Sequence, residues 1–275
     1  MSSAPRKRGR PRGRADGSED SGGVRALDRA LDVLDVIGAG NGLTLSEIAQ
    51  RLDLAPSTVH RVLVTLSARG MAEADAQSQT WHVGPAAFRL GSAFMRRSGL
   101  VERARPVLRQ LMEATGETAN LGILNGDAVL FLSQVETHET IRAFFPPGTR
   151  SPLHASGIGK ALLAHAGPAS LARMIQGLRL ERFTPATLCT AEALAADLAV
   201  TRARGYAIDN EERAAGMRCI AAPVLDLAGE AAAGVSVSGP LHRMGEERLK
   251  AIADAVTEAA RLLSFGSAPP HSAAR

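Results

Sequence analysis

The sequence predicts an α+β chain: a small winged helix-turn-helix domain at the N-terminus, a linking helix, and a larger C-terminal domain of antiparallel strands with helices outside. Three observations carry this expectation. Thr44 to Gly70, TLSEIAQRLDLAPSTVHRVLVTLSARG, reads as two short helices joined by a tight turn. Asn125-Gly126-Asp127, set between two apolar runs, is a strong hairpin signal. Beyond Leu100, hairpin strands and separate helical segments suit an antiparallel sheet with its helices segregated to the outside.

Met1 to Arg14 holds Arg6, Lys7, Arg8, Arg10, Arg12 and Arg14 with no acid among them. Residues 1–22 as a whole are rich in Gly, Ser, Pro and charge, the composition of a disordered arm. Within it Arg8-Gly9-Arg10-Pro11 resembles an AT-hook core, a thin strand that suits a narrow, electronegative minor groove. Arg25 to Ile37 follows as an amphipathic helix, with Leu27, Ala30, Leu31, Leu34 and Ile37 expected on one buried face.

Thr44-Leu45-Ser46-Glu47 is a capping box opening the next helix. Leu45, Ile48, Ala49 and Leu52 then recur at helical spacing. Asp53-Leu54-Ala55 makes the turn, and Pro56 suits the first position of the second helix. Val59, Val62, Leu63 and Leu66 bury one stripe of it, and Gly70 closes it. Ser57, Thr58, His60, Arg61 and Thr65 are left outward. These residue types hydrogen-bond base edges and phosphates, so with Arg8, Arg10 and Arg12 they are the candidate contacts to double-stranded DNA. Two short strands around Ala76-Gln77-Ser78 form the wing, with Trp81 stapling it to the helices. The expected domains are 23–84 for the winged helix, 85–99 for the linker helix, 100–265 for the second domain and 266–275 for a frayed tail.

The second domain opens with a helix from Leu100 to Thr115, ended by Gly116. Strands are expected at Thr118 to Leu124, Ala128 to Val135 and Thr140 to Phe145. Helices follow at Ser156 to His165, Ala169 to Ile175 and Ala191 to Arg204. Strands Tyr206 to Ile208, Cys219 to Leu225 and Ala231 to Ser238 then lead to a closing helix, Gly245 to Leu263.

Composition excludes several classes. At 275 residues the chain has room for two domains. No apolar run reaches the ~18–20 residues of a membrane helix, and the basic N-terminus lacks the apolar stretch of a secretory signal. Cys189 and Cys219 have no Cys-x-x-Cys or His pairing, which argues against a zinc site or a disulfide framework. A cytoplasmic protein without metal or cofactor is the expectation. The formal charge is +4 while the first fourteen residues alone carry +6. Residues 15–99 hold eight basic and ten acidic side chains, so the winged helix has little pull of its own on phosphate.

Three features of the second domain could carry chemistry. His154-Ala155-Ser156-Gly157-Ile158-Gly159-Lys160 precedes a helix but fails the phosphate-loop pattern, since Ala161 replaces the Ser/Thr that would hold magnesium. Its helix N-terminus suits a small anion, or is simply a cap with close packing. Ser236 and Ser238, two apart on an apolar strand, put both hydroxyls on one side, with Cys219 opening the neighbouring strand. Asp209 lies in an acidic stretch just after a strand. A Ser156/His154/Asp209 hydrolase lacks the nucleophile elbow, and His154 stands too near Ser156 in sequence to serve as its base. The chain is not read as an enzyme.

Residues 24–265 resemble the IclR family of bacterial transcriptional regulators, through GLTLSEIAQRLDLAPSTVHRVLVTL, TGETANLGIL, SPLHASGIGKALLA, FTPATL, GYAIDNEE, MRCIAAPV and SVSGPLHRM. The resemblance implies a winged helix, a GAF-like effector domain, and a homodimer or homotetramer on operator DNA. Within the family, PLHASGIGKALL, GYAIDNEE and the Cys219, Ser236, Ser238 set are most similar to the glyoxylate-sensing repressors. Carried over, this places a small 2-oxo acid near the amides of Gly157 and Ile158, with Asp209, Cys219, Ser236 and Ser238 around it and Met217 as an apolar wall. The alternatives are the same architecture sensing pyruvate or an aromatic acid, and a metabolite-binding enzyme that does not touch DNA. Ala55-Pro56-Ser57-Thr58 lacks the Lys that many members carry before the Ser-Thr pair.

Overall fold

A computed structural model describes residues 24–264. The basic arm with Arg8, Arg10 and Arg12, and the tail at 266–275, lie outside the described residues. The chain forms two compact units that divide between Phe94 and Met95, inside one helix.

In the first unit, α1 (Arg25–Ala39), α2 (Leu45–Leu52) and α3 (Pro56–Ala68) pack around Val33, Ile37, Ile48, Val59 and Leu63, all buried. The capping box at Thr44 is complete: Thr44 Oγ1 accepts from the Glu47 amide at 3.3 Å while Glu47 Oε2 accepts from the Thr44 amide at 2.8 Å. Asp53 takes a left-handed conformation, φ 50°, and turns the chain sharply into α3. The wing pairs β2 (Ala72–Ala74) with β3 (Thr80–Val83), and β1 (Leu43–Thr44) joins its other edge. Trp81 packs against the helical core.

One expected face needs correction. Leu27 and Leu31 are 57% and 50% exposed, whereas Ile37 is buried as expected, together with Val33, which the expected face did not include. The apolar surface of α1 is wider than one stripe. Only the stripe that meets α2 and α3 is covered within this unit.

After α4 (Pro85–Ser98), the second unit comprises α5 (Leu100–Thr115), β4 (Thr118–Asn125), β5 (Ala128–Val135), β6 (Arg150–Pro152), α6 (Gly157–Ala164), α7 (Pro168–Gly177), α8 (Ala191–Arg204), β7 (Ala207–Asn210), β8 (Met217–Leu225), β9 (Ala231–Pro240) and α9 (Glu246–Leu263). The six strands form one antiparallel sheet in the order β6-β5-β4-β9-β8-β7. Strand alternation separates two cores. Ile220, Ala222 and Val224 pack with α5 and α9, whereas Ala221 packs with α6 and α8.

The expected strand at Thr140 to Phe145 does not form. The segment after β5 is a loop whose polar groups are met by side chains: Arg243 donates to the Ile141 carbonyl at 2.8 Å and Thr118 to the Ala143 carbonyl at 3.2 Å. Residues 150–152 pair with β5 instead. Pro146 and Pro147 withhold the amides that a continuing ladder would need.

Candidate functional site

Two surfaces gather the candidate residues, one in each unit. On α3, Pro56 at the first helical position starts the helix without a wasted donor. Val59 and Leu63 lock it to the core, which fixes the opposite face. Ser57, His60, Arg61 and Thr65 are exposed on that face, and Thr58 is half-buried. The Thr65 hydroxyl donates to the Arg61 carbonyl at 2.8 Å, one turn back, so it is an acceptor rather than a free donor.

In the second unit the register of the sheet assembles a polar patch on one face. Ser238 lies opposite both Thr118 on β4 and Cys219 on β8, Ser236 lies opposite Asn120, and Asp209 lies opposite Cys219. The N-terminus of α6 rests on this patch. A Cβ on Gly157 would stand 2.7 Å from Cys219 Sγ, so only glycine lets the helix end come this close. Gly157, Asp209, Cys219, Ser236 and Ser238 thereby line one small cavity, roofed by Phe131 and Phe145, whose rings stack at 4.9 Å. Its volume of about 20 Å³, counted over water centres, is just above the roughly 10–15 Å³ that one water needs. Ile158 and Met217 stand outside the lining. The Ile158 side chain is buried in the core against Gly234 and Gly122, and Met217, the first residue of β8, pairs with Pro240.

The hydrogen bonding of the patch fixes what it offers. Asn120, fully buried, donates through Nδ2 to Ser236 Oγ at 3.3 Å and Ser238 Oγ at 3.4 Å, while its own Oδ1 accepts from Gln134 Nε2 at 3.1 Å. With both serine oxygens accepting from Asn120, their hydroxyl hydrogens turn toward Cys219, whose sulfur both serines hydrogen-bond. A ligand rich in acceptors suits that arrangement. Arg213 also lines the cavity, with its guanidinium 4.0 Å from the centre of the Phe183 ring. Asn120 and Arg213 were missed in the sequence. Nothing local marks Asn120, which acts on residues 116 and 118 positions away.

Titratable groups around the cavity are displaced from their ordinary values. Burial pushes the Asp209 carboxyl up to about 6, against the pull of the Glu212 amide and of Lys160. Burial pushes Glu212 up to about 7, again against Lys160. Burial lifts the Cys219 thiol to about 11, Asp209 adds to this, and hydrogen bonds with Ser238, Ser236 and the Gly157 amide oppose it. Cys219 is therefore a neutral thiol at physiological pH. Lys160, fully buried, does not face a phosphate site: its Nζ binds the Ile208 carbonyl at 2.5 Å, Glu212 at 2.6 Å and Asp197 at 3.1 Å. The His154 ring pairs with the Glu181 carbonyl at 2.9 Å and stacks on Phe183.

A winged helix-turn-helix followed by an antiparallel-sheet unit defines a class, the two-unit transcriptional regulators that bind DNA. Family comparison makes this specific. Residues 26–76 match the IclR helix-turn-helix domain and residues 92–265 match the bacterial transcriptional regulator IclR C-terminal domain, so the chain belongs to the IclR family. It is 76% identical over 271 residues to the HTH-type transcriptional regulator BhcR of Paracoccus denitrificans, covering 98% of this chain and 97% of that one. To the HTH-type transcriptional repressor AllR of Escherichia coli K12 it is 37% identical over 260 residues, covering 94% and 95%. An IclR homologue from Microbacterium hydrocarbonoxydans, solved in complex with 4-hydroxybenzoate, superposes with a TM-score of 0.75 at 28% identity, covering 87% of this chain and 97% of that one. Among the described residues no helix is long and apolar enough to cross a membrane.

Proposed function

We propose that this regulator reads operator DNA through α3 and that a small 2-oxo acid, glyoxylate, bound in the second unit sets its operator affinity. The observation that carries the effector reading is the Asn120 amide, which bonds both serine oxygens and turns their hydroxyls toward Cys219 at the cavity, where a carboxylate would take them over from the neutral thiol. The N-terminus of α6 at Gly157 adds the positive end of a helix beside the cavity, and Arg213 adds a cation to its lining. Asp209 then accepts from the hydrated aldehyde, and Cys219 packs against its carbon. At about the volume of one water the cavity has to open even for two carbons, and it has to open further for an aromatic acid such as that bound to the 28%-identical homologue.

On DNA, Ser57, Thr58, His60 and Arg61 give register and base choice, with Thr65 as an acceptor, and Arg8, Arg10 and Arg12 grip the backbone from the minor groove. The exposed Val24, Leu27 and Leu31 along α1 support self-pairing of these units in a homodimer or homotetramer, which places two reading helices on a palindromic site.

Calorimetric titration with glyoxylate, pyruvate, oxalate and 4-hydroxybenzoate tests the effector. Glyoxylate is expected to bind most tightly. Ser236→Ala and Ser238→Ala each remove one hydrogen bond to a charged group, a loss of about 1.5–3 kcal/mol or roughly 10- to 150-fold in Kd. Undiminished glyoxylate binding in the double variant overturns the assignment. A gel shift on the chain's own promoter region, with and without glyoxylate, reads the coupling to DNA.

A further inference from the structure

Behind the cavity, carboxyl groups outnumber the buried cations that face them. Asp209 on β7 lines the cavity and accepts the Glu212 amide at 2.8 Å. Glu212 is 6% exposed. Its Oε1 meets Lys160 Nζ at 2.6 Å, and its Oε2 is the one buried side-chain oxygen or nitrogen without a hydrogen-bond partner among the described residues. Lys160 from α6 is shared further with Asp197 of α8 at 3.1 Å and with the Ile208 carbonyl of β7. The remaining groups facing this cluster are the neutral thiol of Cys219 on β8 and Arg213, whose exposed guanidinium stands over the Phe183 ring and whose charge and amide both favour an ionised Asp209 without outweighing its burial.

Three carboxyls thus surround a single buried ammonium. An ionised Glu212 keeps one charged oxygen desolvated and unmet, which is costly in a buried setting. An anion entering the cavity beside Asp209 brings a further negative charge to the same place. We propose that the pocket takes up its anion together with a proton, held within the Asp209–Glu212 carboxyl pair. The inference rests on the reading of this cavity as a carboxylate site. The raised pKa values of both carboxyls agree with it, since a pair titrating at about 6 and about 7 is poised to gain a proton when a negative charge arrives. By linkage, a site that gains a proton on binding holds its ligand more tightly as pH falls. The proton also makes one carboxyl a donor, which converts a repulsive neighbour into a partner for the ligand.

Titrating the full chain with glyoxylate in two buffers of different ionisation enthalpy, at one pH, counts the protons taken up. Between about pH 7 and pH 8.5 the expected uptake is roughly half to one proton, and the Kd weakens by up to about tenfold per pH unit. Glyoxylate itself stays ionised over this range, as an α-carboxyl acid. Glu212→Gln, permanently neutral, is expected to lower the uptake to near zero and to flatten the pH dependence. If that variant does not fold, Asp209→Asn serves for the same proton count. Wild-type binding with no proton uptake and a constant Kd overturns the inference and leaves the carboxylate site standing. Uptake that persists undiminished in Glu212→Gln and Asp209→Asn assigns the proton elsewhere and also overturns it. Failure of glyoxylate, pyruvate and oxalate all to bind at any pH overturns the carboxylate site and this inference together.

Discussion

Lys160 illustrates how a single residue can carry a misleading local signal. In sequence it ends a Gly-containing run before a helix, the place of a phosphate-binding lysine, yet its ammonium is buried between Glu212, Asp197 and a peptide carbonyl. Its partners lie 37 to 52 residues further along the chain, so no local pattern could name them. Ser236 and Ser238 were legible because a strand alternates with a period of two, but the Asn120 that orients them was not, because register between strands is a property of the sheet. The ion cluster also gives the ligand-free protein a characteristic pH response. Asp209 and Glu212 have folded pKa values above those of free carboxyls, so the folded chain binds more protons than the unfolded one between about pH 4 and pH 7. Their contribution to stability is therefore full below about pH 4 and is lost as pH rises through about 6 to 7. Thermal unfolding of the second unit is expected at lower temperature at about pH 8 than at about pH 5.5, and Glu212→Gln should shrink that difference. A difference as large in the variant as in the wild type would assign it to other groups.

Elements were legible where their termini carry strong chemistry. The helix that Gly116 closes and the helix between Thr190 and Gly205 both end where the sequence places them, because glycine takes the left-handed cap at φ 75° and 84°. The loop after β5 was misread because alternation in Thr140 to Phe145 mimics a strand, while the amides that would extend the ladder are missing at Pro146 and Pro147. Two substitutions test elements directly. Thr44→Ala removes the hydroxyl that caps the Glu47 amide and bonds the Glu47 carboxylate, leaving only the residue-44 amide half of the capping box at α2, at a cost of about 1 kcal/mol, and should lower the unfolding midpoint of the first unit without moving that of the second. Gly157→Ala puts a methyl group 2.7 Å from Cys219 Sγ and 3.2 Å from Ala221 Cβ. Overpacking of this kind costs about 1–3 kcal/mol. Because the new methyl group lies at the cavity, glyoxylate binding should fall below detection in calorimetry while the variant stays folded by circular dichroism.

At the scale of the molecule, the resemblance is distributed over both units, and that is why the family was legible: the matched motifs are spread through the DNA-reading helix pair, the sheet and the α6 segment alike. Charge, by contrast, is concentrated. The first fourteen residues carry +6 in a chain whose formal charge is +4, and the winged-helix region is slightly acidic. In the proposed reading base contacts from α3 choose a sequence, while phosphate neutralisation generally supplies most of the non-specific affinity and its dependence on salt. A helix that reads DNA from an acidic domain, and lacks a lysine before Ser57, needs cations from elsewhere in the chain. Deleting residues 2–14 removes all six basic side chains of the arm. Operator binding, measured by fluorescence anisotropy across a salt series, should weaken, and the slope of log K against log salt should flatten by up to about five units, at about 0.9 per phosphate contact. Arg61→Ala on the intact chain should instead lower discrimination between operator and random DNA by about 1–3 kcal/mol while changing the slope by about one unit or less. If the truncated chain keeps the full slope, the phosphate contacts belong to the winged helix itself, and the division of labour between arm and helix fails.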